Sequence, residues 1–374
     1  MNMNNRLLAI IGASYLQKPL VIKAREMGLH TLSFAWPEGA VCKDVADEFF
    51  PISIVEKEKI LGICKEKKIG GICTIASDVA APTVAFVAEQ MGLVGNSYHA
   101  AVLANNKFMM REAFSKAGVP CPRYIKVTSV DEIPNGGCFP LIVKPTDRSG
   151  SLGITKVGSS DDLRQAVATA LDRSFKKEAV IEEYIEGREI SVEFISYKGV
   201  HYPLQITDKV TTGAPHFVEL EHHQPAQLDK DQYAEIYELT KKALNALGVT
   251  NGASHSEYKI TEDGKVYVME IGARMGGDFI GSDLVQLSTG YDFVKGVIQM
   301  ALGEFDAPSF GQPRCAGVYF LCEETKHLLP IIKEAKLPQI VRAEITDAKL
   351  RPVTCSADRS GFFIYQGDEK LELK

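Results

Sequence analysis

The stretch HSEYKITEDGKVYVMEIGARMGGD, from His255 to Asp278, decides how the rest of the chain is read. Ser256–Ile260 and Lys265–Ile271 alternate in polarity and are rich in β-formers, and Asp263-Gly264 between them is a strong two-residue hairpin signal. With those two residues as the loop, Glu262 faces Lys265, and counting back along the ladder sets Glu257 opposite Glu270. Like charges at paired positions destabilise a sheet, so the two carboxylates need a counter-charge. A hard cation held by their oxygens supplies one. Arg274 and the turn Gly276-Gly277-Asp278 follow just past the strand end, where a reacting anion can be held. The spacing reads as a metal–phosphate site. The plainer alternative is a solvated hairpin face with two unrelated acids.

The chain has 374 residues, enough for two or three domains with real cores. Net charge is −6 and no basic run occurs, which argues against nucleic acid as a main partner. No apolar stretch reaches spanning length, and Leu7–Ala13 reads as a first strand, so no membrane role is expected. The eight cysteines form no Cys-x-x-Cys pair and no zinc-like spacing, which points to reduced thiols in a cytoplasm.

Residues 6–95 alternate strands and helices, the pattern of a small open α/β sheet. Expected strands or strand ends are Leu7–Ile11, Thr31–Ala35, Glu48–Pro51, Gly71–Ile75 and Gly92–Val94. The turn Gly12-Ala13-Ser14 lacks the Gly-x-Gly-x-x-Gly fingerprint, and no suitable acid ends the second strand. Residues 99–123 read as one helix carrying Lys107. Strands follow at Phe139–Lys144 and Ile154–Val157, a helix at Asp161–Ser174, then strands at Val180–Ile185, Glu189–Ser196 and His201–Asp208. A long helix runs from Lys230 to Leu247, and another from Tyr291 to Leu302. From Pro313 onward short strands dominate, at Gly317–Leu321, Val341–Ile345 and Gly361–Gln366.

Lys144 ends a buried strand, and the loop TDRSGSLGI after it is rich in small residues whose backbone N–H groups can point at phosphate oxygens. It is not a P-loop, and read alone it is a flexible turn. In Val180–Ile185, VIEEYI, an exposed backbone edge suits the hydrogen-bonding edge of adenine, and Glu189 suits ribose hydroxyls; an ordinary amphipathic strand is the competing reading. Lys209, His216, His222 and His223 lie in a polar stretch whose histidine spacing is not that of a metal site, so surface or substrate-loop roles are expected.

Each signal is weak alone, but their order is informative. Lys107, then Lys144-Pro145, the Gly/Ser loop, VIEEYIEGREISVE and Glu257…Glu270-x-x-x-Arg274 together resemble the ATP-grasp superfamily, which includes biotin carboxylase and the carbamoyl-phosphate synthase large subunit. ITDKVTTGAPHFVE and EIGARMGGD look most like its L-amino-acid ligase branch of carboxylate–amine ligases. The resemblance spans the whole chain, with its specific motifs between 107 and 278. It implies an α/β fold, α+β in its central part. An N-terminal Rossmann-like sheet domain would cover 1–98, and a two-subdomain ATP-grasp domain 99–305, with its lid at about 115–190. A small β-rich region at 306–374 would complete the core.

The resemblance also implies roles. Lys107 and Lys144 would contact ATP phosphates, with Lys144 and Arg274 catalytic. Ser149, Gly150, Ser151 and Gly153 would belong to the mobile phosphate lid. Glu182, Glu183, Tyr184 and Ile185 would hold adenine, and Glu189 ribose. Glu257 and Glu270 would hold Mg²⁺, with Mn²⁺ an alternative. Lys209, Arg274, Gly276, Gly277 and Asp278 would face the substrates. Similar chains carry Asn two residues after the second metal glutamate, where this one has Gly272, so one ion or two stays open.

The implied chemistry is ATP-dependent ligation: a carboxylate takes the γ-phosphoryl group, and an amine then displaces phosphate from the acyl phosphate. The partners would be a small carboxylate and an amine, with a homodimer left open. Asp278 adds negative charge beside the glycine turn, which favours a zwitterion such as an α-amino acid. Competing readings keep ATP but activate bicarbonate or formate, or bind nucleotide without catalysis. The missing glycine fingerprint yields a first expectation: calorimetry with NAD or NADP registers no binding, and a micromolar dissociation constant would overturn the reading of the N-terminal sheet.

Overall fold

The computed structural model describes residues 6–134, 136, 138–148, 152–334 and 336–373. Among the described residues, sixteen strands build three sheets, each from a contiguous part of the chain. The first has four parallel strands: β1 (Leu7–Ile11), β2 (His30–Phe34), β3 (Glu48–Phe50) and β4 (Gly71–Cys73), in the order β3-β2-β1-β4. Parallel strands need crossovers, supplied here by helices such as Lys18–Glu26 and Lys57–Lys67. Helices cover both faces, which explains why β1 is an unbroken apolar run. Gly92–Val94, expected as a strand end, is a turn at a helix terminus, where Gly92 takes φ +66° to cap Ala81–Met91.

The expected helix 99–123 is two helices, Tyr98–Asn105 and Lys107–Ala117. Asn106 is extended between them and its side chain accepts from Met109 N at 3.0 Å, an N-cap that the Asn105-Asn106 pair foreshadows. The break starts a new helix at Lys107, whose backbone N donates to Thr146 O at 2.8 Å.

The second sheet is antiparallel: β5 (Tyr124–Val127), β6 (Leu141–Pro145), β7 (Thr155–Val157) and β8 (Ala179–Glu183), in the order β5-β8-β6-β7. It buries Val127, Val143 and Ile181 against Leu163, Val167 and Ala170 of the helix Ser160–Arg173. The sequence expected an open backbone edge on VIEEYI. Instead β8 is an interior strand, hydrogen-bonded to β5 on one side and β6 on the other, and only Tyr184 and Ile185 extend past its end.

The third sheet carries eight strands: β9 (Arg188–Tyr197), β10 (Val200–Thr211), β11 (Glu219–Gln224), β12 (Gly252–Ile260), β13 (Val266–Gly272), β14 (Cys315–Leu321), β15 (Ile340–Ile345) and β16 (Gly361–Gly367). Their order is β13-β12-β9-β10-β11-β14-β16-β15, so the C-terminal strands continue the central sheet. The helix Lys230–Leu247 packs on it, opened by a capping box in which Asp229 accepts from Gln232 N at 2.8 Å and Gln232 accepts from Asp229 N at 3.1 Å.

A shared core and a backbone bridge help to join the first sheet to the third. One core contains Ile10 and Leu20 from the first unit, Ile195 and Ala253 from the third sheet, and Phe293 and Val297 from the helix Phe293–Ala301 between them. A parallel bridge pairs Ile75 with Met275, and Ala76 N donates to Met275 O at 3.1 Å. The end of β4 is thereby fixed against the end of β13. Among the described residues, no helix is long and apolar enough to cross a membrane.

All eight cysteines are unpaired. Burial pushes the thiols of Cys64 and Cys73 up to about 12, and that of Cys42 to about 11, whereas Cys138 is exposed. Only thiolates alkylate quickly. Iodoacetamide near neutral pH is therefore expected to label Cys138 in the folded protein and to spare Cys42, Cys64 and Cys73 until denaturant is added, as peptide mass mapping can establish.

Candidate active site

A cleft lined by the second and third sheets has two connected chambers. The smaller, about 150 Å³, is an apolar slot formed by Ile142, Ile154, Tyr184, Ile185 and Met269, with Lys144, Glu183, Glu189 and Lys259 among its polar groups. The larger, about 370 Å³, is lined by Tyr15, Ser77 and Asp78 from the first unit, by Lys107, Arg274 and Gly277, and by Cys355 and Ser356 from the C-terminal region. Glu257, Glu270, Lys209 and Glu219 line both, so the acidic pair stands at the junction.

Glu257 lies opposite Glu270 in the β12–β13 ladder, but not by the turn that the sequence suggested. Thr261 N donates to Lys265 O at 3.0 Å and Gly264 takes φ +80°, which makes a three-residue loop and shifts the register by one. A bulge between Glu257 and Tyr258, where Met269 is the extra residue on β13, shifts it back.

Lysines neutralise the pair. Lys209 Nζ is 2.6 Å from Glu257 Oε1 and 3.4 Å from Glu219, and Lys107 Nζ is 2.9 Å from Glu270 Oε1. Burial opposes the charge on Lys209, yet Glu257 and then Glu219 hold its ammonium above the ordinary value. Burial likewise opposes ionisation of Glu257, but Lys209 and His255 hold it well below the usual carboxylate range. His255, buried, bonds Glu193 through Nδ1 and approaches Glu257 at 3.5 Å through Nε2. Burial would lower its pKa, but the two glutamates raise it to about 9. Glu193 also accepts from Gly276 N at 3.0 Å, which fixes the glycine turn.

Further along the cleft, Lys144 reaches the smaller chamber, yet its ammonium rests 2.7 Å from Glu182. Glu182 was expected to face adenine. It is instead fully enclosed, with Arg111 Nε at 2.7 Å on its other side. Burial opposes its charge, and Arg111 and Lys144 overcome that to hold it below the usual carboxylate range. The carboxylate meets Arg111 of the helix Lys107–Ala117, and Glu182 is not among the residues that form the slot. Glu183 accepts from Arg123 N at 2.9 Å and Nε at 2.7 Å. Lys156 Nζ sits 3.7 Å from the centre of the Tyr184 ring, and Glu189 pairs with Lys259 at 3.0 Å. Gly153 has φ +78° and lies close against Pro145 and Arg173. Ser149, Gly150 and Ser151 lie outside the described residues.

Two expectations on the substrate side change. Asp278 is not a free negative charge, because Arg359 donates to both its oxygens, at 2.9 and 2.7 Å. His222 and His223 are buried on β11, not on the surface, and His222 lines the larger chamber; His216 is exposed. Burial, then Lys209, keeps the His222 imidazole well below its ordinary pKa, hence neutral.

Sequence reasoning passed over Arg111, Asp78, Glu193, Glu219, His255 and Arg359. Arg111 had a signal, since it follows Lys107 by one helical turn on the same face. Asp78 follows the last parallel strand, on the side where open α/β sheets bind ligands. Arg359 had none.

An apolar slot that opens at two carboxylates into a chamber lined by Lys107, Lys209 and Arg274 as well as acids suits a nucleotide with its phosphates at the junction. Residues 138–283 match a family model described as an ATP-grasp domain. The chain carries an ATP-grasp domain. An alanine–anticapsin ligase of Bacillus subtilis (strain 168) is 29% identical over 250 residues, which cover 59% of this chain and 52% of that protein. This chain spans about half the length of the curated relatives it matches first. The crystal structure of an L-amino acid ligase from Bacillus licheniformis superposes with a TM-score of 0.81 at 24% identity, over 98% of this chain and 95% of that one. An N5-carboxyaminoimidazole synthetase from Staphylococcus aureus, complexed with ADP, gives 0.79 at 18% identity over 97% and 94%. Both share the fold of this chain.

The enclosed Arg111–Glu182–Lys144 group yields a stability prediction. Arg111→Met leaves the Glu182 carboxylate with a single partner, and removing one member of a buried ionic group costs about 3–5 kcal/mol. Urea unfolding should show that loss, and Arg111→Lys, which keeps the charge but not the fork, should lose less.

Proposed function

We propose that this ATP-grasp chain is an ATP-dependent carboxylate–amine ligase that forms an acyl phosphate and then an amide, with an amino acid as one substrate. The observation that carries this reading is the placement of Glu257 and Glu270 where the apolar slot meets a chamber lined by Lys107, Lys209 and Arg274.

The donor set fits a magnesium or manganese ion: two carboxylates face each other, and Glu257 is already ionised. Glu257 and Glu270 would hold Mg²⁺, which when bound would offset the charge of the ATP phosphates. A substrate carboxylate oxygen attacks the γ-phosphorus and ADP departs. An amine then adds to the acyl carbon, and phosphate leaves. In this reading Lys107 and Arg274 meet the anionic charge that builds in both steps. The apolar slot takes the base, beside Tyr184 and Ile185.

With Asp278 engaged by Arg359 and Glu219 paired with Lys209, the support for an amino acid rests on the relatives' own substrates. We adopt domain limits of 1–98, 99–305 and 306–374, with the first sheet unit closed by the helix Ala81–Met91. Eight unpaired thiols support a reducing compartment such as the cytoplasm.

Phosphate release from ATP is the assay, run against a panel of amino acids and other carboxylates, with and without amines. Amino-acid pairs are expected to stimulate release. Glu270→Gln is expected to lower it by about 100-fold or more with the circular dichroism spectrum unchanged. Near-wild-type release by that variant at saturating Mg²⁺ would remove the metal assignment. Stimulation by bicarbonate or formate alone would replace ligation with activation of those acids.

A further inference from the structure

Arg274 is not free in the cleft. Its Nε donates to Asp78 Oδ1 at 2.8 Å, its Nη2 to Asp78 Oδ2 at 2.9 Å, and its Nη1 to Met275 O at 3.2 Å. A guanidinium has five N–H groups, so one on each terminal nitrogen stays available beyond this clasp. The two partners are 196 positions apart. Asp78 is delivered by the first sheet, through the bridge of Ile75 to Met275, and Ala76 beside it is held at φ +56°. Non-glycine residues rarely adopt that conformation, and its presence here shows how firmly the turn is determined.

Gly272 explains itself against this clasp. A Cβ on residue 272 would lie 2.6 Å from Asp78 Oδ1 and 3.2 Å from both Cζ and Nε of Arg274. Cβ atoms do not come within 2.6 Å of an oxygen, so a side chain at 272 displaces the Asp78 carboxylate from its clasp.

We propose that Asp78 is the positioning residue of Arg274, presenting the guanidinium to the reacting phosphoryl group, and that position 272 is glycine to make room for it. The space that a side chain at 272 would take is filled by an arginine oriented by the N-terminal unit. A bidentate pair fixes a planar guanidinium in direction as well as distance, which an isolated arginine at a strand end would lack. Burial disfavours the Asp78 charge, yet Arg274 holds the carboxyl below its ordinary pKa, so the clasp is ionic at neutral pH. The catalytic part of this inference rests on the ligase reading above; the coupling of residues 78 and 272 does not.

The experiment is a double-mutant cycle of Asp78→Ala and Gly272→Ala, read by kcat, KM for ATP, calorimetric ADP binding and unfolding midpoint. Each single variant is expected to lower kcat by about 10- to 100-fold, the scale of a misplaced catalytic group, with KM for ATP and ADP affinity within about threefold of wild type. The pair is expected to be strongly non-additive, because once the carboxylate is gone a methyl group at 272 has nothing to strike. Gly272→Ala with wild-type kcat, or additive effects, overturns the proposal. Loss of kcat, ADP binding and stability in parallel does the same, since that marks a merely structural contact. Should wild type turn over no substrate pair, the ligase reading fails, and the coupling is then decided on the unfolding midpoints alone. Non-additivity there supports the clasp and additivity overturns it.

Discussion

Two carboxylates on neighbouring strands cannot stay charged at the mouth of a cleft unless something neutralises them, and the rest of the structure is arranged around that demand. Glu257 and Glu270 face each other because β12 and β13 pair in one register. Lys209 comes from β10 and Lys107 from the start of a helix, each to hold one of them. Breaking such a half-buried pair by removing one partner is costly, whereas exchanging one cation for another is not. The protein's own lysines therefore neutralise the junction. His255 and Glu193 extend the same network to Gly276, so the glycine turn is set by the electrostatics that set the acids.

The alternating pattern of charges continues across the larger chamber. Arg274 is paired with Asp78, and Asp278 with Arg359. In each pair one partner comes from the β13 end and the other from a distant part of the chain, the first sheet in one case and the C-terminal region in the other. The first sheet and the two ends of the third are thus held together partly by the ions that line the cleft. A substrate anion entering it competes with carboxylates already in place, which favours ligands whose charges complement several pairs at once.

Much of the fold was legible in the sequence. The helix Lys230–Leu247 falls on its expected residues, because an Asp229–Gln232 capping box and a glycine stop are local signals. The parallel strands of the first unit were legible because runs such as Leu7–Ile11 are buried on both faces. Glu257 opposite Glu270 was reached by a count in which the wrong turn and an unseen bulge cancelled. The break at Asn106 was missed, since an apolar pattern continued through it and only the cap marked the stop. The open edge assigned to Val180–Ile185 failed for a different reason. A strand's own residues do not state how many neighbours it has, and β8 has two.

By itself the sequence determined the local elements, the ordered set of lysines, glutamates and arginine, and the absence of a dinucleotide fingerprint. These depend on periodicity, turn chemistry and spacing within a few residues. Only the tertiary structure decided which charges meet. Arg111 with Glu182, Asp278 with Arg359, and Asp78 with Arg274 join positions 71, 81 and 196 residues apart. No periodicity links such positions. Topology sets their approach, and the low dielectric of the packed interior makes each unpaired alternative too costly to persist.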